Sequence, residues 1–413
     1  MEGSFKMAGP LSHIRVLDLS RVLAGPWAGQ TLADLGAEVL KVERPGAGDD
    51  TRSWGPPFLA DREGRPTSDA AYFLAANRGK KSVTIDFTRP EGQELVRRLA
   101  ADSDIVLENF KVGGLAKYGL DYPSIREINP AVIYCSITGF GQTGPYRNRA
   151  GYDFLIQGMG GLMSVTGEPD ELPGGGPVKT GVAIVDIFTG MYAATSVLAA
   201  LAHRERTGEG EYIDLALLDV QVATLANQAT NYLVSGSAPV RLGNAHPNIV
   251  PYQALATSDG HIILAVGNDA QFARFCAVAD RPELADDVRF RSNADRVHNR
   301  AELIPLIMEV LKQRTRAEWI AALEEAGVPC GPINTIAEVF ANPQVQSRSM
   351  RIDVPHTGAG LIPLVGSPMK FSRSPLNDRQ PPPQLGEHND EILKGLLGLA
   401  DDELLRLRGA GII

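Results

Sequence analysis

The sequence predicts an α/β protein: a large domain built on a parallel sheet with helices on both faces, joined to a smaller α/β domain. Three observations carry that prediction. Short apolar runs alternate with helical patterns through the first 217 residues. Glycine and proline turns punctuate the changes of pattern. A second, shorter alternation begins at His261 and ends near Cys330-Gly331-Pro332.

Taken in order, Ile14–Leu19 is the first strand, followed by a turn at Ala24-Gly25-Pro26, a helix over Ala28–Leu35 and a strand over Ala37–Glu43. Ser82–Phe87 is the third strand. Pro90, with Glu91 beside it, opens a helix to Ala101, because proline suits a first helical turn. Asp104–Phe110 and Ala131–Ile137 are strands, the second stopping at Gly139-Phe140-Gly141. A long helix spans Asp186–Arg206 and is stopped by Thr207-Gly208-Glu209-Gly210. The strand Glu211–Ala216 and a helix over Asp219–Val234 follow. Gly236–Pro251 is a linker or a functional loop, and the Pro-rich Gly358–Pro383 is extended. Asp390–Leu407 returns to helical periodicity. The expected organisation is therefore a large domain at 1–217, a linker at 218–244, a small domain at 245–345, a Pro-rich linker at 346–384 and a return to the large domain at 385–413.

Composition narrows the function. The 413 residues are 44% apolar and 22% charged, which is globular rather than disordered. A net charge of −9 with no basic block argues against nucleic acid or an anionic membrane as main partner. The three cysteines lie far apart without a CxxC pair, so neither a disulfide framework nor a cysteine zinc site is expected. No HExxH or carboxylate cluster suggests a metal. Met1–Ser12 lacks the apolar stretch of a secretory signal, Met7 offers an alternative start, and no run approaches about 18 consecutive apolar residues. A soluble, cytoplasmic protein is expected.

Three features bear on chemistry. Ala24–Gly29 sits between strand and helix, with Glu43 ending the next strand, as in a dinucleotide fold. It reads A-G-P-W-A-G rather than G-x-G-x-x-G, and Pro26-Trp27 would crowd a diphosphate, so an NAD site is set aside in favour of an ordinary turn or another nucleotide. Arg44, Arg52, Arg78, Lys80, Lys81, Lys111 and Lys117 are either scattered surface charges or a phosphate-receiving rim. Asp186 is a lone acid inside the apolar run Gly181–Gly190, where it is a helix N-cap, a functional carboxylate or both.

A resemblance then decides more. Val16–Pro26 (VLDLSRVLAGP), Gly36–Asp49, Asn77–Asp86 (NRGKKSVTID), Val106–Phe110, Tyr134–Pro145, Gly161–Gly167, Gly181–Gly190 and Leu385–His388 resemble the class III (CaiB/BaiF) CoA-transferases from about His13 onward. Pro45–Pro57, Arg149–Asp153 (RAGYD), Gly243–Gln253 and Pro381–Gly386 are most similar to the dicarboxylate branch, which pairs succinate with hydroxymethylglutarate. The resemblance implies a Rossmann-like large domain, a small domain and an interlocked homodimer.

It also implies roles. Asp186 falls on the family's nucleophile, which passes through a mixed anhydride and an aspartyl-CoA thioester. Ala24, Arg44, Ile85, Asn109, Phe110 and Lys117 fall on CoA-binding positions, with Ala24 and the Ile85–Thr88 stretch along the adenine and pantetheine path, CoA a substrate and no cofactor held permanently. Arg78, Tyr152, Arg241 and His246 are the expected acceptor contacts, and amides near Gly139–Gly141, Gly160-Gly161 or Gly243-Asn244 the expected oxyanion donors. The position of a glycine-rich flap is occupied by Gly243–Pro247, without the glycine run, and Leu23 stands where formyl-CoA transferases carry glutamine. Both departures argue against formate and oxalate as the natural pair. Succinyl-CoA with glutarate or 3-hydroxy-3-methylglutarate is the expected pair, with itaconate, malate, oxalate or another short dicarboxylate as alternatives. An α-methylacyl-CoA racemase would need a histidine at Tyr152 as one of its two proton-exchanging groups, so it ranks lower.

Overall fold

The computed structural model describes residues 9–413; part of the segment read as lacking a secretory signal, residues 1–8, lies outside them. The chain divides into two compact units. Of the described residues, the first comprises 9–161, 180–226 and 343–413, and the second 162–179 and 227–342.

The first unit is built on six parallel strands: β1 (Arg15–Asp18), β2 (Glu38–Glu43), β3 (Lys80–Thr84), β4 (Ile105–Glu108), β5 (Ile133–Thr138) and β6 (Glu211–Ala216). Their spatial order is β3-β2-β1-β4-β5-β6, the doubly wound order in which strand direction of travel reverses between β1 and β4. Successive residues face opposite sides of a strand. Leu17, Leu40 and Val83 thus join a core with α2 (Pro90–Ala101) and the C-terminal Ile392, Leu404 and Ile412. Val16, Val39 and Cys135 face the other way, toward α1 (Ala24–Asp34) and α4 (Ile184–Thr207). Two further helices matter for the site: α3 (Asp153–Met159) and α5 (Leu217–Thr224).

Several boundaries differ from expectation, each for a local reason. The segment Ala24-Gly25-Pro26 is the first turn of α1 rather than a loop, because a proline in a first turn forfeits no internal hydrogen bond. The third strand starts two residues early, at Lys80, whose charge looked external but is fully buried against Asp18 at 2.8 Å. The expected Asp219–Val234 helix is two, Leu217–Thr224 and Ala226–Ser235, broken where Ala226 takes φ +48°. The tail helix also splits, into Asn389–Gly395 and Asp401–Gly409.

The domain boundaries shift accordingly. Residues 218–226 stay with the first unit, and residues 162–179 join the second. The stretch read as a Pro-rich linker begins with an antiparallel hairpin, Arg351–His356 with Gly360–Val365, carrying its own small core of Ile352, Val354 and Ile362. From there the chain runs back along β3, where the Gly386 amide donates to Ser82 and the Thr84 amide to Asn389. The second unit holds a three-stranded sheet, Tyr252–Ala256, His261–Ala265 and Cys330–Pro332, over a core that includes Phe272, Phe290 and Trp319.

The helix α4 has a mean hydropathy of 1.6 over an 18-residue window, enough by length and composition to cross a bilayer. Its buried side packs on α1, and Gly190 makes that approach close. A Cβ there would lie 2.6 Å from the Ala24 carbonyl oxygen and 2.9 Å from the Trp27 Cβ. Gly190→Ala is therefore expected to destabilise the protein by about 1–3 kcal/mol, read as a lowered thermal midpoint.

Candidate active site

Loops at the carboxyl ends of β1 to β5 enclose a cleft of about 540 Å³, a typical size for a small-molecule site. It opens at the point where the strand order reverses. The β1 and β4 loops are braced there by Asn109. Its side-chain oxygen accepts from the Arg21 amide at 2.9 Å and its amide nitrogen donates to the Arg21 carbonyl at 2.6 Å. Next in the chain, Val22 holds φ +71°, a left-handed backbone rare for a β-branched residue, and its amide donates to Asp49 at 3.3 Å. Asp49 is fixed by Lys41 at 2.8 Å; burial opposes its charge, but Lys41 and the Thr51 donors bring its pKa down to about 2.

The seven basic residues of the first domain divide into two groups. Arg52 is buried between Glu43 and Asp69, Lys80 against Asp18, and Arg78 against Asp34, while Lys81 bridges Glu38 and Glu391. These four are internal ties. Arg44, Lys111 and Lys117 line the cleft, together with Arg147 and Arg149. Phe87 stands edge-on to both Phe110 and Tyr118, with ring centroids 5.7 Å apart in each pair, and the Lys117 ammonium lies 4.6 Å from the Tyr118 ring. The result is an aromatic wall beside a positive rim.

Asp186 lies in this cleft as the third residue of α4. It is therefore not the N-cap. Ala183 occupies that position and offers no side-chain cap. Asp153, at the start of α3, supplies one from elsewhere in the chain: its Oδ1 accepts from the Val185 amide at 2.8 Å and the Asp186 amide at 3.3 Å. Its Oδ2 accepts from Gln157 at 2.6 Å, and the Gln157 carbonyl accepts from the Thr180 amide at 2.9 Å. Burial first, and the Asp153 charge second, push the Asp186 carboxyl up to about 7. A half-buried carboxylate at a helix start, facing a cationic cleft, suits nucleophilic attack on an activated acyl group.

A model of CoA-transferase family III matches residues 11–389. The chain belongs to that family. It is 55% identical to the succinate–glutarate CoA-transferase of Agrobacterium fabrum, over 94% of this chain and 96% of that one. It is 44% identical to the human succinyl-CoA:glutarate CoA-transferase, over 98% of this chain and 90% of the relative. The crystal structure of a CaiB/BaiF family protein from Brucella suis, 55% identical, matches with a TM-score of 0.82 over 94% of this chain and all of that one.

In this family III CoA-transferase, Ala24, Arg44, Ile85, Asn109, Phe110, Lys117, Tyr152 and Asp186 all line the one cleft. Arg78 does not. It is 4% exposed, bound to both carboxylate oxygens of Asp34 and to the Val365 carbonyl, so the expectation that it meets a substrate is withdrawn. Arg241 and His246 belong to the second unit. Arg241 pairs with Asp170 and donates to the Glu168 carbonyl; the His246 Nδ1 accepts from the Asn248 amide. Burial, with Arg300 nearby, pushes the His246 pKa down.

Of the three glycine segments expected to offer amides, Gly139 lines the cleft. It lies against Gly151, and a Cβ on either would come within 2.6 Å of the other's Cα, so the strand-end loop closes only with glycine at both. Phe87 falls in the Ile85–Thr88 stretch expected along the CoA path, and all four of those residues line the cleft. Sequence reasoning missed Tyr118 beside it and Asp153 as a cap. The cap left no signal, because its partners are 32 and 33 residues away.

Proposed function

We propose that this transferase moves CoA from succinyl-CoA to glutarate through covalent intermediates on Asp186. The observation that carries the chemistry is the Asp186 carboxylate in a cleft rimmed by Arg44, Lys111, Lys117 and Arg147. The substrates are taken from the two named relatives, which pair succinate or its CoA ester with glutarate.

An Asp186 oxygen attacks the succinyl carbonyl carbon, the C–S bond breaks, and CoA thiolate leaves behind a succinyl–aspartyl anhydride. The thiolate attacks the aspartyl carbonyl, releasing succinate and leaving an aspartyl-CoA thioester. A glutarate carboxylate attacks that thioester and expels thiolate. The thiolate then takes the glutaryl carbonyl and returns Asp186 as a carboxylate. No proton changes hands, so no general base is needed, and the protein's work is alignment and exclusion of water. Arg44 and Lys117 receive CoA phosphates, while Ala24, Ile85, Asn109 and Phe110 border its path. Tyr152, which lines the cleft, is the proposed contact to the acceptor acid. Arg44→Ala and Lys117→Ala are each expected to raise the KM for succinyl-CoA about tenfold with little change in kcat.

The test is mass spectrometry of succinyl-CoA incubated with glutarate, 3-hydroxy-3-methylglutarate, itaconate, malate and oxalate. Glutaryl-CoA is the expected main product. Absence of any new acyl-CoA, together with deuterium uptake at the α-carbon of a branched acyl-CoA, would mean a racemase and end this reading. The same proposal includes a homodimer. Phe188, Met191, Tyr192 and Leu198 on α4 are exposed, an apolar surface that a second copy would cover. Light scattering at the mass of two chains is the expected result.

A further inference from the structure

Asp153 takes no part in the transfer steps, yet it is bonded to the backbone of the residue that does. We propose that Asp153 is the positioning residue for the nucleophile: it fixes the first turn of α4 through one carboxylate oxygen, and its charge drives Asp186 toward its covalently bonded states. The proposal deepens the reading of Asp186 as nucleophile and rests on it.

The geometric half follows from the hydrogen bonds. The first amides of a helix have no partners within the helix. In α4 two of them, on Val185 and Asp186, are taken by a single Asp153 oxygen. Its other oxygen is held by Gln157, which is fully buried and also binds the Thr180 amide on the segment entering α4. Asp153 is thus clamped on both sides. Rotation of the α4 first turn, and with it the direction of the Asp186 side chain, is fixed by α3 rather than by the helix's own sequence.

The electrostatic half follows from what faces Asp186. The groups that bear on it are Asp153 from α3, the Tyr72 phenol from the helix Ala71–Ala76 and the α4 N-terminus itself, while the cations Arg44, Lys111, Lys117, Arg147 and Arg149 line the same cleft. The helix terminus favours an anion. Burial and the second carboxylate disfavour one, and they prevail at Asp186. A surrounding that penalises the Asp186 anion favours every state in which that charge has left. Acylation is such a state: the C–O bond forms, the C–S bond breaks, and the negative charge moves from the carboxylate to the departing thiolate. An ordinary surface aspartate would make a poorer nucleophile and a less stable acyl carrier. Asp153 therefore raises both the basicity of Asp186 and the share of enzyme held as aspartyl-CoA.

The full-length protein tests this with succinyl-CoA as probe. Two readouts are used: the pH dependence of kcat/KM, and the fraction of intact protein carrying CoA mass after acid quench. Wild type is expected to lose kcat/KM as pH falls through about 7, as Asp186 becomes protonated. Asp153→Asn keeps an acceptor oxygen for the helix amides and removes the charge. Its acid limb is expected to fall by about one pH unit and its CoA-bearing fraction at pH 8 about tenfold. Asp153→Glu keeps the charge one methylene away. It is expected to retain the acid limb while kcat drops at least about tenfold from misalignment. An Asp153→Asn protein with the wild-type acid limb and adduct fraction would reduce Asp153 to a helix cap and overturn the proposal. If Asp153→Asn does not fold, Asp153→Glu decides alone, because a lowered acid limb with the charge retained also overturns it. Asp186→Asn run in parallel separates the two levels: turnover there would sink the nucleophile itself, whatever Asp153 does.

Discussion

Asp186→Asn is expected to lower succinyl-CoA:acid transfer by at least about three orders of magnitude while binding of CoA is kept. The amide is isosteric, but its oxygen is a far weaker nucleophile, and Asp186 is the acidic residue of the α4 first turn, while the Asp153 carboxylate beside it is engaged by the helix amides. The cations on the cleft rim and the aromatic wall are untouched, so a CoA titration should give an unchanged Kd. A second signature distinguishes a stored functional cost from simple damage. The fold raises the Asp186 pKa above its unfolded value, so its contribution to stability is full below the ordinary carboxylate range and is lost as pH rises through about 7. Asparagine removes that loss. The variant should therefore melt higher than wild type at pH 8 and close to it near pH 4. A variant that loses both activity and stability at pH 8 would contradict this account.

Arg78→Leu is expected to destabilise the first unit by about 3–5 kcal/mol, because it leaves Asp34 buried without its counter-ion. The Arg78–Asp34 pair is made through two contacts, at 3.0 and 2.6 Å, and the guanidinium also holds the Val365 carbonyl of the C-terminal hairpin. Even with Arg78 in place, burial pushes the Asp34 pKa up, outweighing the attraction of its partner. Without Arg78 the carboxyl should protonate more readily still, so the penalty should shrink as pH falls through that raised value. The double change Arg78→Leu/Asp34→Leu should recover part of the loss. Residual native enzyme should keep its KM for the acceptor acid. A KM effect without a stability effect would return Arg78 to the substrate.

The contrast between Arg78 and Asp186 shows what could be read in the sequence. Strand runs such as Val39–Val42 and Ile105–Leu107 announce a parallel sheet because both faces are buried and almost every position is apolar. Lys80 and Arg78 defeat that logic. A charged residue next to a strand looks solvated until its partner is known, and Asp18 and Asp34 are 62 and 44 positions away. The same blindness misassigned Arg78 and hid Asp153. Asp186 stands out as one acid in an apolar run, but it takes the structure, with Ala183 in the N-cap position, to remove the cap reading. The split of the expected Asp219–Val234 helix at Ala226 left no trace either, since alanine, the best helix former, gives no sign of a left-handed backbone.

Asn109 has a consequence for ligand selection. Both polar ends of its side chain are spent on one residue's backbone, so it behaves as a strut of fixed length between the two loops at the cleft mouth. Aspartate would set a carboxylate against the Arg21 carbonyl, and glutamine would force the loops apart by a methylene. The gauge of the opening is thus set by a side chain whose polar atoms are both engaged by the Arg21 backbone. A screen for altered acyl-CoA breadth would do well to vary this spacer before any residue that touches the cargo.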